Sequence, residues 1–245
     1  MKLSRDLALK IAFVIDEFVP PIIRDTKGFM YLPMRFLFGK MAKVFWEFKD
    51  KAPYLSEDDY IKLYKQIDPF LIKRATCLNN ACITKITNSI KGNTVLEAGC
   101  GNGFLAQKIA SKNYRVTGTD ILVEKDIKKA NPKIKFVKAN IEHLPFKDKS
   151  FDTVICTHTL EHVQNIYHAI KELRRVTKSR LIVIVPKQKP YKFTFDLHLH
   201  FFPHIHSLVT IMNFDRNLKR KSVCKNLNGD LYYQEDSPSK TARAK

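Results

Sequence analysis

The sequence predicts an α/β protein: a mostly parallel sheet with helices on both faces, a C-terminal antiparallel hairpin, and an N-terminal helical extension. Three observations lead there. From Thr94 onward, short apolar runs alternate with helical spans, the pattern of successive βαβ units. Directly after the first of these runs the chain places Gly99, Gly101 and Gly103, although it holds only eight glycines. Near the C-terminus, Asn228-Gly229 separates two strand-like runs, and that dipeptide favours a tight hairpin turn.

The elements follow in order. Leu3, Leu7, Ile11, Val14, Ile15 and Phe18 recur at helical spacing and predict an amphipathic helix with one apolar stripe. Pro20-Pro21 ends it, because proline lacks the amide donor and restricts the residue before it. The stretch GFMYLPMRFLFGKMAKVFWEF carries Phe29, Tyr31, Phe36, Phe38, Phe45 and Trp46 among Arg35, Lys40 and Lys43, a second apolar surface. Ser56, with Asp58 and Asp59 in the first turn, starts a further helix. Then NTVLEAG reads as a strand, GFLAQKIASK as a helix, YRVTGTD as a strand and ILVEKDIKKAN as a helix. IKFVKAN and FDTVICTH are strands, a helix spans about Val163 to Val176, and RLIVIVP is the fifth strand. FPHIHSLVTIM is helical, and KSVCKNLNGDLYYQED is the hairpin. The expected division is 1–85 for the extension, 86–235 for the sheet domain and 236–245 for a disordered tail.

Composition narrows the class. With 245 residues, 44% apolar and 27% charged, the chain can bury a substantial core. Five cysteines without C-x-x-C spacing fit a reduced, cytoplasmic compartment better than a disulfide framework. The first apolar run is broken by Lys10, Asp16 and Glu17, so it fits neither a membrane span nor a cleavable leader. A net charge of +19 favours an anionic partner, such as the inner face of a membrane, nucleic acid or a phosphorylated substrate, or else describes a lysine-rich solvated surface.

The glycine turn asks for a ligand that approaches the backbone closely. Its G-x-G-x-G spacing departs from the dinucleotide pattern G-x-G-x-x-G, since Phe104 stands where the third glycine belongs. Glu97, just before Gly99, would repel a pyrophosphate but accept a cation. S-adenosyl-L-methionine, with its sulfonium and ammonium and no phosphate, meets that requirement. Asp120 ends the next strand, where an acid can accept both ribose hydroxyls.

VLEAGCGNG, VTGTDI, KANIEHLPFKDKSFDTVICTHTLEHV and ELRRVTKSRLIVIVP stand in the order and near the spacing of class I S-adenosylmethionine-dependent methyltransferases. The chain resembles this family over roughly residues 90–190, most closely the small-molecule group with the ubiquinone- and menaquinone-pathway enzymes. The resemblance implies a Rossmann-like class I methyltransferase sheet. It also implies that Glu97 and the backbone of Gly99, Cys100 and Gly101 face the methionine part, with Gly103 completing the turn. Asp120 would hold the ribose, and Ile121 would lie against the adenine. Asn140, in place of the usual Asp, would contact the adenine amino group, Ile141 would offer its backbone N–H, and Thr157 would lie beside the methionine carboxylate. The family's frequent Pro-Gly-Gly before the fifth strand is replaced here by Thr177-Lys178-Ser179-Arg180.

An oxygen acceptor needs a base or a metal to remove its proton. His162, His198 and His200 are the candidate catalytic residues. His158-x-x-Glu161-His162 is similar to the Glu-x-x-Glu-His metal motif of ubiquinone-pathway and small-RNA methyltransferases, with its first Glu replaced. The expectation is therefore no metal, the alternative being a set of His158, Glu161, His162 and His198. The function expected is methyl transfer from S-adenosyl-L-methionine to a small, apolar or membrane-associated, lipid-like acceptor, with an anionic membrane surface as partner. The alternatives are an RNA methyltransferase and a non-catalytic S-adenosylmethionine-binding protein.

Overall fold

The computed structural model describes residues 11, 14–15, 18–67, 76–123, 125–193, 196–215 and 220–238. Leu3, Leu7 and most of the tail lie outside them. Two compact units form: residues 1–73 with 189–201, and residues 74–188 with 202–245. The division therefore falls before Arg74, not near residue 85, and the first unit takes back a segment from late in the chain.

In the first unit, α1 (Pro21–Arg24), α2 (Lys27–Phe38), α3 (Ala42–Lys51) and α4 (Glu57–Ile67) follow one another. Val19 and Pro20 break the chain as the double proline predicts, and Pro20 then caps α1. The Ser56 hydroxyl accepts the Asp59 amide at 3.2 Å and starts α4. Met30 and Met34 of α2, Phe45 and Phe48 of α3, and Phe193 and Leu197 from the late segment make the core. Tyr191 anchors that segment, with Arg24 at 5.3 Å and Lys49 at 5.0 Å from its ring, and its carbonyl accepts from Lys49.

Two expectations change here. Ile11 and Ile15 are on the packed side, whereas Val14 and Phe18, each pair four residues apart, are exposed. The N-terminal apolar residues therefore do not share one stripe. The aromatic set also divides: Phe45 is buried and stacks on Phe38, Trp46 packs on Phe193, and Phe29, Tyr31 and Phe36 remain exposed.

The second unit is a sheet of seven strands in the order β3-β2-β1-β4-β5-β7-β6. Its strands are β1 (Thr94–Ala98), β2 (Arg115–Asp120), β3 (Lys135–Lys138), β4 (Phe151–Thr157), β5 (Thr177–Pro186), β6 (Ser222–Leu227) and β7 (Asp230–Asp236). The first five in the order are parallel, and β7 and β6 are antiparallel. Its helices are α5 (Asn80–Ser89), α6 (Phe104–Ala110), α7 (Lys125–Ala130), α8 (Ile166–Val176) and α9 (Ile205–Met212). Period-two alternation sends Leu96, Ala98, Val154, Leu181 and Val183 into one apolar layer with α8 and α9. Val95, Ile155, Ile182 and Ile184 enter the other with α5 and α6. A sheet buried on both faces requires continuous apolar strands, which explains LIVIV in β5.

Several boundaries move for local reasons. The expected helix from Ile121 begins at Lys125, because Asp120 Oδ1 accepts the Leu122 amide at 3.0 Å and holds 121–123 in a bend. Helix α8 starts at Ile166, where Asn165 caps the His168 amide at 3.1 Å. Thr177-Lys178-Ser179-Arg180 is strand rather than turn: β5 leaves α8 directly, and a bulge between Phe151 and Thr153 absorbs the extra length. Helix α5 packs in the sheet unit's core, which is why the boundary precedes it. At the hairpin, Asn228 (φ 53°) and Gly229 (φ 94°) both take the left-handed conformations a two-residue turn demands.

Candidate functional site

The order β3-β2-β1-β4 places the carboxyl ends of four parallel strands side by side. Strand order reverses between β1 and β4, which is where open α/β sheets bind ligands. The residues expected to hold the donor cluster there by topology: Glu97 in β1, Asp120 at the end of β2, Asn140 and Ile141 after β3, and Thr157 at the end of β4.

The turn after β1 is held from below. The amides of Gly99 and Cys100 both donate to the Thr119 carbonyl, at 2.7 and 2.9 Å. The Gly101 amide donates to Asp120 Oδ2 at 2.8 Å. The glycines differ in purpose. A Cβ on Gly99 would stand 2.0 Å from Thr159 Oγ1, and one on Gly103 would stand 2.9 Å from the Phe136 ring. Those two serve packing. A Cβ on Gly101 would meet nothing within 4 Å, so its bare backbone borders open space.

Two carboxyls flank this turn. Glu97 is buried; the Ala106 amide donates to it, but Oε2 has no hydrogen-bond partner. Burial pushes its pKa up to about 8, with nearby Asp120 adding to the rise. Burial also raises Asp120, against the lowering effect of the Leu122, Gly101 and Ile121 amides. Cys100, packed beside Gly118, has its thiol pushed upward by burial and by both acids, so it remains protonated. An unsatisfied buried acid beside open backbone suits a ligand that brings a cation and no phosphate. S-adenosyl-L-methionine has that chemistry, and Glu97, Gly101 and Asp120 fit it.

The loop after β3 is shaped by turns. Asn140 Oδ1 already accepts the Glu142 amide at 2.9 Å. Glu142 in turn accepts the amides of Gln164 and Asn165 at 2.9 and 3.0 Å, tying this loop to the segment after β4. Arg175 holds the carbonyls of Leu144 and Phe146, so Leu144-Pro145-Phe146 is a fixed edge. Ile121 is half-buried, while Ile141 and Thr157 are buried.

After Thr157, His158 takes φ 48°, an uncommon conformation for a residue with a Cβ. Its Nδ1 lies 3.6 Å from Glu161 Oε1 and its Nε2 lies 3.3 Å from Asp230 Oδ1. Burial opposes protonation of this imidazole, but the two carboxylates prevail and raise its pKa. Glu161 is fully buried, and His162 Nε2 is 4.0 Å from it. Asp230 also accepts from Asn79 at 2.8 Å. His198 and His200 belong to the first unit.

Sequence reasoning missed Thr159, Phe136, Glu142 and Asp230. Thr159 and Phe136 are ordinary core-type residues whose role appears only against a glycine. Asp230 sits in a hairpin that no local pattern connects to His158.

Residues 96–185 match the Methyltransferase domain family. An uncharacterised protein of Methanocaldococcus jannaschii is 36% identical over 57% of this chain and 59% of its own length. The ubiquinone biosynthesis O-methyltransferase of Rickettsia akari is 29% identical over 53% of each chain. The matches therefore span little more than half of these relatives. A solved S-adenosylmethionine-dependent methyltransferase from Thermotoga maritima, described as a possible histamine N-methyltransferase, superposes with a TM-score of 0.51 at 17% identity. It covers 74% of this chain and 98% of its own, and shows the shared fold. The motifs, the sheet order and the family match converge on one segment: residues 96–185 match the Methyltransferase domain family, on a sheet whose fold is shared with solved S-adenosylmethionine-dependent methyltransferases.

Proposed function

We propose that this protein transfers the methyl group of S-adenosyl-L-methionine to a small, apolar or membrane-associated acceptor by direct in-line transfer. The observation that carries the reading is the buried, partly unsatisfied Glu97 beside the open Gly101 backbone, with Asp120 at the next strand end. When bound, S-adenosyl-L-methionine supplies a methyl group already activated on a sulfonium. The chain's task is placement, and orienting two reactants can supply roughly 7–11 kcal/mol of a barrier.

In this reading Glu97 receives the ligand's ammonium and becomes ionised as it does so. Asp120 exchanges the Gly101 amide for the ribose hydroxyls, and Gly101 presents its open backbone to the methionine part. Thr157 borders its carboxylate, and Ile121, Asn140 and Ile141 frame the adenine. For a hydroxyl acceptor, His162 is the candidate base in the sheet unit, with Glu161 beside it, and His198 and His200 are those of the first unit. No metal is assigned a role.

Support for the acceptor class comes from the aromatic, basic first unit and from the Rickettsia akari relative, whose name places it in ubiquinone biosynthesis. A second reading, an RNA acceptor, has one observation in its favour. Lys128, Lys129, Lys133, Lys135 and Lys138 are all exposed along α7 and the edge strand β3. The deciding experiment feeds the protein methyl-labelled donor with a cell extract and partitions the label. Label in the organic-extractable fraction supports the first reading, and label in RNA the second. Absence of donor binding by calorimetry would refute both.

A further inference from the structure

Helix α2 carries two apolar stripes where a surface helix carries one. Met30, Met34 and Leu37 recur on its inner side, and the two methionines are fully buried in the first unit's core. On the opposite side, Phe29, Leu32 and Phe36 recur with the same helical spacing and remain exposed, Leu32 at 71%. The exposure extends to the preceding turns, where Phe18 is 73% exposed and Ile22 84%. Among the described residues twelve large apolar side chains are exposed, and eight of them fall between Val14 and Phe36. Scattered exposed apolar residues are ordinary, but a concentration of this kind marks a surface that meets something.

The charges around this face select the partner. Lys27, Arg35, Lys40 and Lys43 are exposed, and no acidic residue occurs from Thr26 through Trp46. A helix of 12 residues is about 18 Å long and cannot cross a hydrocarbon core of about 30 Å. No helix among the described residues is long and apolar enough to span one. An apolar helix face rimmed by cations, too short to span, has the character of an element that lies in the plane of a bilayer surface. We infer that the outer face of α2, with the Phe18–Ile23 turns, docks on an anionic membrane. Leu32, Phe36 and Ile22 enter the acyl boundary, and Arg35 and Lys40, which flank that face, meet lipid headgroups. Each such cation strengthens association roughly fivefold.

The test is co-sedimentation of the full chain with phosphatidylcholine vesicles, with and without phosphatidylglycerol. It needs neither donor nor acceptor, so its outcome is separate from that of the methyl-transfer reading. The expected result is binding to the anionic vesicles at least tenfold stronger than to the neutral ones. A Leu32→Ser/Phe36→Ser variant and an Arg35→Glu/Lys40→Glu variant each lose at least tenfold in partitioning. Both pairs are exposed, so circular dichroism and S-adenosylhomocysteine affinity stay unchanged. No binding to anionic vesicles overturns the inference, as does parental binding by both variants. Sedimentation as a dimer that Leu32→Ser/Phe36→Ser dissociates, without vesicle binding, also overturns it, because the face then belongs to a second copy of this chain.

Discussion

The two glycines at either end of Gly99-Cys100-Gly101 should respond oppositely to the same substitution. Both have positive φ, +76° at Gly99 and +49° at Gly101, so an alanine at either incurs about 1–2 kcal/mol of left-handed strain. At Gly99 the new Cβ would also stand 2.0 Å from Thr159 Oγ1 and 2.5 Å from its Cγ2. Forcing those atoms apart adds about 1–3 kcal/mol of overpacking. Gly99→Ala therefore costs about 2–5 kcal/mol, and Gly101→Ala only the strain. For a domain of this size, each kcal/mol moves the melting temperature by about 2–4 °C. The apo protein should melt on the order of 10 °C lower with Gly99→Ala and a few degrees lower with Gly101→Ala. Ligand reverses the ranking. A saturating ligand at about a hundred times its dissociation constant stabilises by roughly 2.7 kcal/mol. Parent and Gly99→Ala should show that upward shift with S-adenosylhomocysteine, and Gly101→Ala should not, because its methyl fills the space the ligand needs. Differential scanning fluorimetry with and without ligand reads both quantities. A full ligand shift in Gly101→Ala, or equal apo stability of the two variants, would refute the division of roles.

Three further outcomes are expected. Glu97 titrates near pH 8 when folded but in the ordinary carboxylate range when unfolded, so between those values the folded state holds the extra proton and loses stability as pH rises. Glu97→Gln should flatten melting temperature against pH from 5 to 8.5 and remove the tightening of S-adenosylhomocysteine binding with pH; a parental slope in the variant contradicts this. Asp152 is held well below the usual carboxylate range by the Asn93 amide and then by Thr94, so its contribution is complete above about pH 4 and disappears as pH falls through its folded value. Asp152→Ala should cost about 1–3 kcal/mol in urea unfolding at pH 7, with the gap narrowing by about pH 3, and an unchanged gap would contradict the ionised-state account. Methyl transfer to an identified acceptor should continue in EDTA; loss of transfer, restored by a divalent ion, would favour the alternative metal set of His158, Glu161, His162 and His198.

The parallel sheet was legible because each strand is an apolar run bracketed by turn residues, and the hairpin because Asn228-Gly229 admits few alternatives. The residues proposed for the donor could be picked out for a related reason: glycines and acids at strand ends have few structural uses. What escaped was non-local. The segment 189–201 is aromatic and histidine-rich, but nothing in its pattern says that Phe193 and Leu197 serve the first unit's core rather than the sheet's. Asp230 meets His158 only because β7 inserts beside β5. The limits of α7 depended on whether Asp120 would bond forward to Leu122, a competition between a local turn and a helix that propensity does not decide.

The late return of residues 189–201 has a consequence for biosynthesis. The chain leaves the sheet unit at Gln188 and rejoins it at Phe202, where a bridge between Lys187 and Phe202 closes the neck. The helices of residues 21–67 emerge from the ribosome before the sheet unit, yet Phe193 and Leu197, which complete their core, are made only after β5. At cellular elongation rates the nascent helices must wait on the order of ten seconds with Met30, Met34 and Phe45 uncovered. Throughout that interval these apolar helices face whatever surrounds the ribosome. A holdase or a nearby bilayer would shelter it until its missing strip arrives.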